Sequence, residues 1–134
     1  MKTREDIEGF LDRVAADGAT ISEVESGMWV VKPGGNLDFD LVVHCSGDVV
    51  LLRVKVMDVP QDEAEQLPLY RRLLELNAED LVHGSYGLDA GAIVLNETLS
   101  LNHLDYEEFL ASYESITLAL ASHLRELGSH REAR

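Results

Sequence analysis

At 134 residues, with 46% hydrophobic and 27% charged side chains and only three prolines, the chain can bury one hydrophobic core and carries no mark of a disordered or collagen-like polymer. Its 11 basic and 25 acidic residues give a net charge of −14, which repels phosphate backbones and anionic lipid surfaces and argues against nucleic acid or membrane as partners. The excess sits mostly in the second half: residues 1 to 57 carry six basic and ten acidic groups, residues 58 to 134 five and fifteen.

Ile7, Phe10, Leu11 and Val14 recur at helical spacing, with Thr3 as N-cap, Asp6 three residues later and Gly18 as the stop, so residues 3 to 16 are expected to form a short amphipathic helix. Three runs rich in valine, leucine and aromatics follow, Met28 to Lys32, Leu37 to Cys45 and Val49 to Met57. Pro33-Gly34-Gly35-Asn36 and Ser46-Gly47-Asp48 punctuate them, which predicts an antiparallel meander. In the third run Val50, Leu52, Val54 and Val56 alternate with Val49, Leu51, Arg53 and Lys55; in the second, Phe39, Leu41, Val43 and Cys45 alternate with Asp38, Asp40, Val42 and His44. If the first set of each faces the core, Val42, Val49 and Leu51 lie on the opposite face among charges.

After Pro60 the period changes. Leu69, Leu73, Leu74 and Leu76 describe a helix ending near Asn77, with Pro68 in its first turn and Asp62 to Leu67 as a separate turn before it. Residues 83 to 89 and 91 to 99 read as a hairpin about Asp89-Ala90-Gly91, with Ile93 and Leu95 on one face and Ala92 and Val94 on the other. The last helix begins at Asp105 as N-cap, with Glu108 at N3 and Leu104 against Phe109. Its stripe Phe109, Tyr113, Ile116, Leu120, Leu124 and Leu127 runs to Gly128, leaving residues 129 to 134 as a polar tail expected to fray. The order is α-β-β-β-α-β-β-α. It predicts an α+β protein whose helices pack on one face of an antiparallel sheet, as a single domain over residues 1 to 128.

Little of this resembles a catalytic or metal centre. His83-Gly84-Ser85-Tyr86-Gly87 has the serine and last glycine of a nucleophile elbow, but it leads into a hairpin and has histidine where the first glycine belongs. His44 and Cys45 are neighbours on a strand, so they point to opposite faces and cannot form a thiolate–imidazolium pair; Cys45 reads as a small buried hydrophobe. Asp38 and Asp40 share a strand face without any further ligand, and the five histidines, among them His103, His123 and His130, include no helical metal-site pair. No cofactor or metal is expected, and no catalytic residue is assigned. A pocket around His83, Ser85 and Asp89 is the arrangement that would revive an enzymatic reading. One cysteine allows no internal disulfide and fits a reducing compartment. With no apolar leader at Met1 to Asp6 and no run of about 18 apolar residues, the expected location is the cytoplasm.

The stretch Leu73-Leu74-Glu75-Leu76-Asn77, then Gly87-Leu88-Asp89, Gly91-Ala92-Ile93-Val94-Leu95, and Leu104-Asp105 with the long helix behind it resembles the type III secretion chaperone-like superfamily, with its YbjN-like and CesT/Tir-type members. The likeness covers about residues 66 to 127, and the preceding elements agree in order. It implies a dimeric, acidic, non-enzymatic protein that holds an extended segment of a client along apolar patches and sheet edges. The sequence therefore predicts a chaperone-like or adaptor module, homodimeric, with Val42, His44, Val49 and Leu51 and the exposed side of the first helix as contacts. The alternative is a regulatory modulator that docks on a folded partner such as a sensor kinase or transcription factor.

Overall fold

A computed structural model describes every residue except Asn36, Ala133 and Arg134, and side chains up to Gly128. The elements are α1 (Arg4–Ala15), β1 (Thr20–Glu25), β2 (Met28–Lys32), β3 (Leu41–Ser46), β4 (Val49–Asp58), α2 (Glu63–Glu79), β5 (Ser85–Asp89), β6 (Ala92–Ser100) and α3 (Tyr106–Glu132). All six strands join one antiparallel sheet in the order β1-β2-β3-β4-β6-β5. This is the α+β architecture that the pattern predicts, with one strand more than expected.

The additional strand is β1, and its absence from the sequence reading has a physical cause. It is an edge strand, exposed at every position but Ile21, with a register irregularity between Glu23 and Glu25. An edge that buries one residue shows no alternation, and a bulge and charges are what keep such an edge from pairing further. Two helix boundaries also move. Asp62 caps α2 by accepting from the Ala64 N–H at 2.9 Å, so the expected separate turn belongs to the helix and Pro68 lies inside it. Inside a helix a proline forfeits the bond to the carbonyl four residues back, here that of Ala64, and its ring crowds the same carbonyl. The α3 backbone continues past Gly128 to Glu132; the side chains of the predicted polar tail lie outside the described residues.

The caps of the other helices follow the sequence. Thr3 and Asp6 form a reciprocal box, the Thr3 N–H donating to Asp6 Oδ2 at 2.8 Å, and Asp105 Oδ1 accepts from the Glu108 N–H at 2.8 Å. The hairpin turns at Ala90 and Gly91, both with positive φ (51° and 80°), a primed turn that fits the twist of the strands.

One row of side chains crosses the whole sheet on its helix-covered face: Ile21, Val31, Leu41, Val54, Leu95 and Tyr86 are successive cross-strand partners. Against this face pack Ile7 and Leu11 of α1, Leu69 and Leu76 of α2, and Phe109, Ile116 and Leu120 of α3, all fully buried. Burying large aliphatic and aromatic side chains at roughly 1.5–3 kcal/mol each is the main term holding helices to sheet.

Candidate functional site

The alternate positions of the same strands form the face that no helix covers. Two of its rows can be read from the register: Met28, His44, Leu51 and Thr98, and beside it Val30, Val42, Arg53, Asn96 and Ser85. Val49 closes the turn between β3 and β4 opposite Ser46. Val42, His44, Val49 and Leu51 are thus neighbours on one surface, each partly buried by the others. Met28 and Val30 extend it across β2. The period of Met28, Val30 and Lys32 against Trp29 and Val31 was available in the sequence to find them. Val94 lies on this face too, buried apart from the main core between Lys55 and Gly87.

Cations border the apolar patch, and each is matched. Arg53 donates from Nη1 to Asp89 and from Nε to Asn96, both at 2.6 Å; Lys55 lies 3.0 Å from Asp58 and Lys32 3.8 Å from Asp40. The carboxylates Asp40 and Asp89, weighed above as catalytic or metal-binding groups, are therefore partners of basic residues on the open face. Cys45 faces the opposite way from His44 and packs on the core, and burial pushes its thiol pKa up.

The residues of the elbow-like segment are dispersed. Ser85 is exposed on β5. His83 Nδ1 is approached by Ser112 Oγ at 3.4 Å and by Glu97 Oε2 at 3.5 Å, so hydroxyl and carboxylate address one nitrogen, where a Ser–His–acid relay needs them on opposite nitrogens. Among the described residues no group of three or more histidine, cysteine, aspartate or glutamate side chains is placed to hold a metal, and no helix is long and apolar enough to cross a membrane.

A second apolar surface lies where α2 meets the edge strand β5. Tyr70, Leu73, Leu74, Asn77, Tyr86 and Leu88 line a groove of about 250 Å3, and Leu74 and Leu88 are 67% and 57% exposed. Leu67, 74% exposed, continues the same helical stripe two turns before Leu74. Asn77, which the sequence suggests as a helix end, instead lies within α2, with its side chain on the strand edge: its Oδ1 accepts from the Tyr86 N–H at 2.7 Å and its Nδ2 donates to the Tyr86 carbonyl at 3.2 Å. It thus satisfies one edge residue as a neighbouring strand would. By the two-residue repeat, the backbone of Leu88 faces the same edge.

Behind this groove a buried polar chain ties three elements together. The Tyr86 hydroxyl, whose pKa is raised by burial and by the nearby Glu126 and Asp80 carboxylates, donates to His123 Nδ1 at 2.7 Å. His123, 3% exposed, then has its proton on Nε2 and donates to Asp80 Oδ2 at 3.0 Å. Arg72 adds a two-pronged bond to Glu126, so the end of α2 is fixed to α3 and β5 by polar as well as apolar contacts.

A sheet with one face sealed by helices and the other left partly apolar, with a long capped helix closing the chain, defines an α+β protein of the type III secretion chaperone-like fold. The chain belongs to the CesT_Tir_1 family, whose model matches residues 1–132. Among solved structures it resembles YbjN from E. coli, described as a putative transcription regulator, at 18% identity over 97% of this chain and 94% of that one, with a TM-score of 0.67. It also resembles a chain of the heterodimeric ExoU–SpcU complex from the type III secretion system of Pseudomonas aeruginosa (17% identity, 84% and 92% covered, TM-score 0.64). A third likeness is to a chain of the HopA1–SchA chaperone–effector complex (15%, 92% and 93%, TM-score 0.59). No curated protein matches the sequence.

Proposed function

We propose that this protein is a non-enzymatic, chaperone-like or adaptor module of one domain that works in the cytoplasm as a homodimer and holds an extended segment of a client protein. The observation that carries the reading is the open sheet face, where Met28, Val30, Val42, His44, Val49 and Leu51 form a continuous partly apolar surface bordered by ion-paired charges. Family membership supports it, as do the likenesses to chains of secretion chaperone–effector complexes.

The two apolar surfaces divide the work. The open face takes the client. The groove of Leu74 and Leu88 takes a second copy, because paired leucines beside an edge strand offer apolar area together with the Leu88 backbone that faces the edge. Leu51→Asp is expected to abolish client capture with circular dichroism and dimer mass unchanged, and Leu74→Lys to give a folded monomer on size-exclusion chromatography. Unfolding by Leu51→Asp would show that the open face is a buried one.

A second reading has its own support in the likeness to YbjN: a regulatory modulator docking on a folded partner such as a sensor kinase or transcription factor. Co-purification separates the two. Capture through a short extended peptide supports the chaperone, and capture only as a folded domain supports the modulator.

A further inference from the structure

At the β1–β2 end of the molecule, a groove of about 360 Å3 opens between the end of α1, the connection from β2 to β3 and the middle of α3. Two glycines build one wall. A Cβ on Gly34 would stand 2.9 Å from the Gly18 carbonyl oxygen, so the connection rests directly on the turn after α1, and Gly18 itself has a φ of +107°. Val14, Leu37, Leu110 and Leu118 supply apolar lining, and Leu118 is 71% exposed at the rim.

Two carboxylates, Asp17 and Glu114, stand in the same lining, and among the described residues neither has an ion pair or a side-chain hydrogen bond. The neighbouring cation Arg13 is held elsewhere, its guanidinium 3.6 Å over the Tyr106 ring. The negative charge is felt inside the groove, since Asp17, after burial, is the second cause raising the Tyr113 pKa. On a chain of net charge −14 this combination repels acidic ligands, including a second copy of itself. Six of the chain's own cations, Arg4, Lys32, Arg53, Lys55, Arg71 and Arg72, are moreover already paired with its carboxylates.

We infer that this groove selects the client segment by charge: it takes an aliphatic side chain against Leu110 and Leu118 with a lysine or arginine beside it, placed on Asp17 and Glu114. The inference rests on the client-binding reading above and adds a cationic amphipathic stretch as the chemistry recognised, at a site separate from the open sheet face.

The test is fluorescence anisotropy with three labelled peptides of equal length, alternating leucine with lysine, with serine or with glutamate, against the full chain and two charge-matched variants. In Asp17→Asn/Glu114→Gln the groove is neutralised; in Glu79→Gln/Glu107→Gln the same charge is removed from exposed positions on α2 and α3. The expected result is preference for the lysine peptide, about tenfold weaker binding to the groove variant, a small change in the control, and loss of the preference in high salt. Equal weakening in both variants would mean that net charge alone attracts the peptide and overturns the groove. Binding of the serine peptide as tight as the lysine peptide, unchanged in the groove variant, also overturns it but leaves the client-binding reading standing. If no peptide binds, both fall. A lysine-peptide titration that instead changes the oligomeric state on sedimentation would assign the groove to a second copy and overturn the inference as well.

Discussion

Leu51 and Leu52 are adjacent residues of one strand with opposite surroundings. Leu52 is fully buried among the helices, while Leu51 is only partly covered, by the side chains around it on the open face. The same contrast runs along β4, where Val50, Val54 and Val56 are buried and Val49, Arg53 and Lys55 are not. One face of the sheet therefore carries stability and the other is available for contact. A patch of aliphatic residues that stability does not need is the physical basis for assigning the open face to binding.

The largest expected effect tests that division directly. Leu52→Ala removes a fully packed side chain and should cost about 3 kcal/mol in urea denaturation, through lost transfer energy and the cavity left behind. Leu51→Ala should cost well under half as much, because water can fill the space it leaves. Equal costs would mean that the open face is sealed in solution even in the monomer, which would remove the ground for placing a client there.

This division was legible in the sequence because β3 and β4 alternate: where the two faces of a strand meet different surroundings, the period of two shows which residues belong to each. The starts of α1 and α3 were legible for a related reason, since Thr3, Asp6 and Asp105 act within four residues of where they stand. β1 was not. Five of the six side chains from Thr20 to Glu25 are exposed, so no contrast between faces is written into them. The Leu74–Leu88 groove and the Asp17–Glu114 groove were illegible because each joins residues distant in the chain. Leu74 read only as part of a helical stripe, and no local pattern singles out Asp17 or Glu114. Gly18 gave one local sign, as a helix stop, but its contact with Gly34 exists only in the folded chain.

The comparison sharpens at the edge of the sheet, where Asn77 stands in for a missing strand. Asn77→Ala leaves the Tyr86 N–H and carbonyl without their partner and should cost roughly 1–3 kcal/mol. Hydrogen exchange at the Tyr86 amide should accelerate while exchange in β3 and β4 responds only to the global loss. Asn77→Asp, which keeps the acceptor for the Tyr86 N–H, should protect that amide better than alanine does. If exchange at Tyr86 is unaffected by either change, another chain or element covers the β5 edge in solution.

The smallest effect lies at the polar end of the helix-covered face. Burial, with Glu126 and Asp80 nearby, raises the Tyr86 pKa above its ordinary 10.0, so the folded state keeps a proton that the unfolded state has lost once the pH passes 10. The unfolded chain then binds fewer protons than the folded one, and stability must fall as pH rises, by up to about 1.4 kcal/mol per pH unit for this group. Below pH 10 the contribution is fully present. Tyr86→Phe should therefore unfold less steeply with alkali than the parent, while paying about 1 kcal/mol at neutral pH because His123 Nδ1 loses its donor. Tyr113, also raised by burial, leaves part of the alkaline slope in place. A variant with the parent's full slope would mean that the Tyr86 hydroxyl reaches solvent, and that the end of α2 is held to α3 by Arg72 and Glu126 and by its leucines without the buried chain.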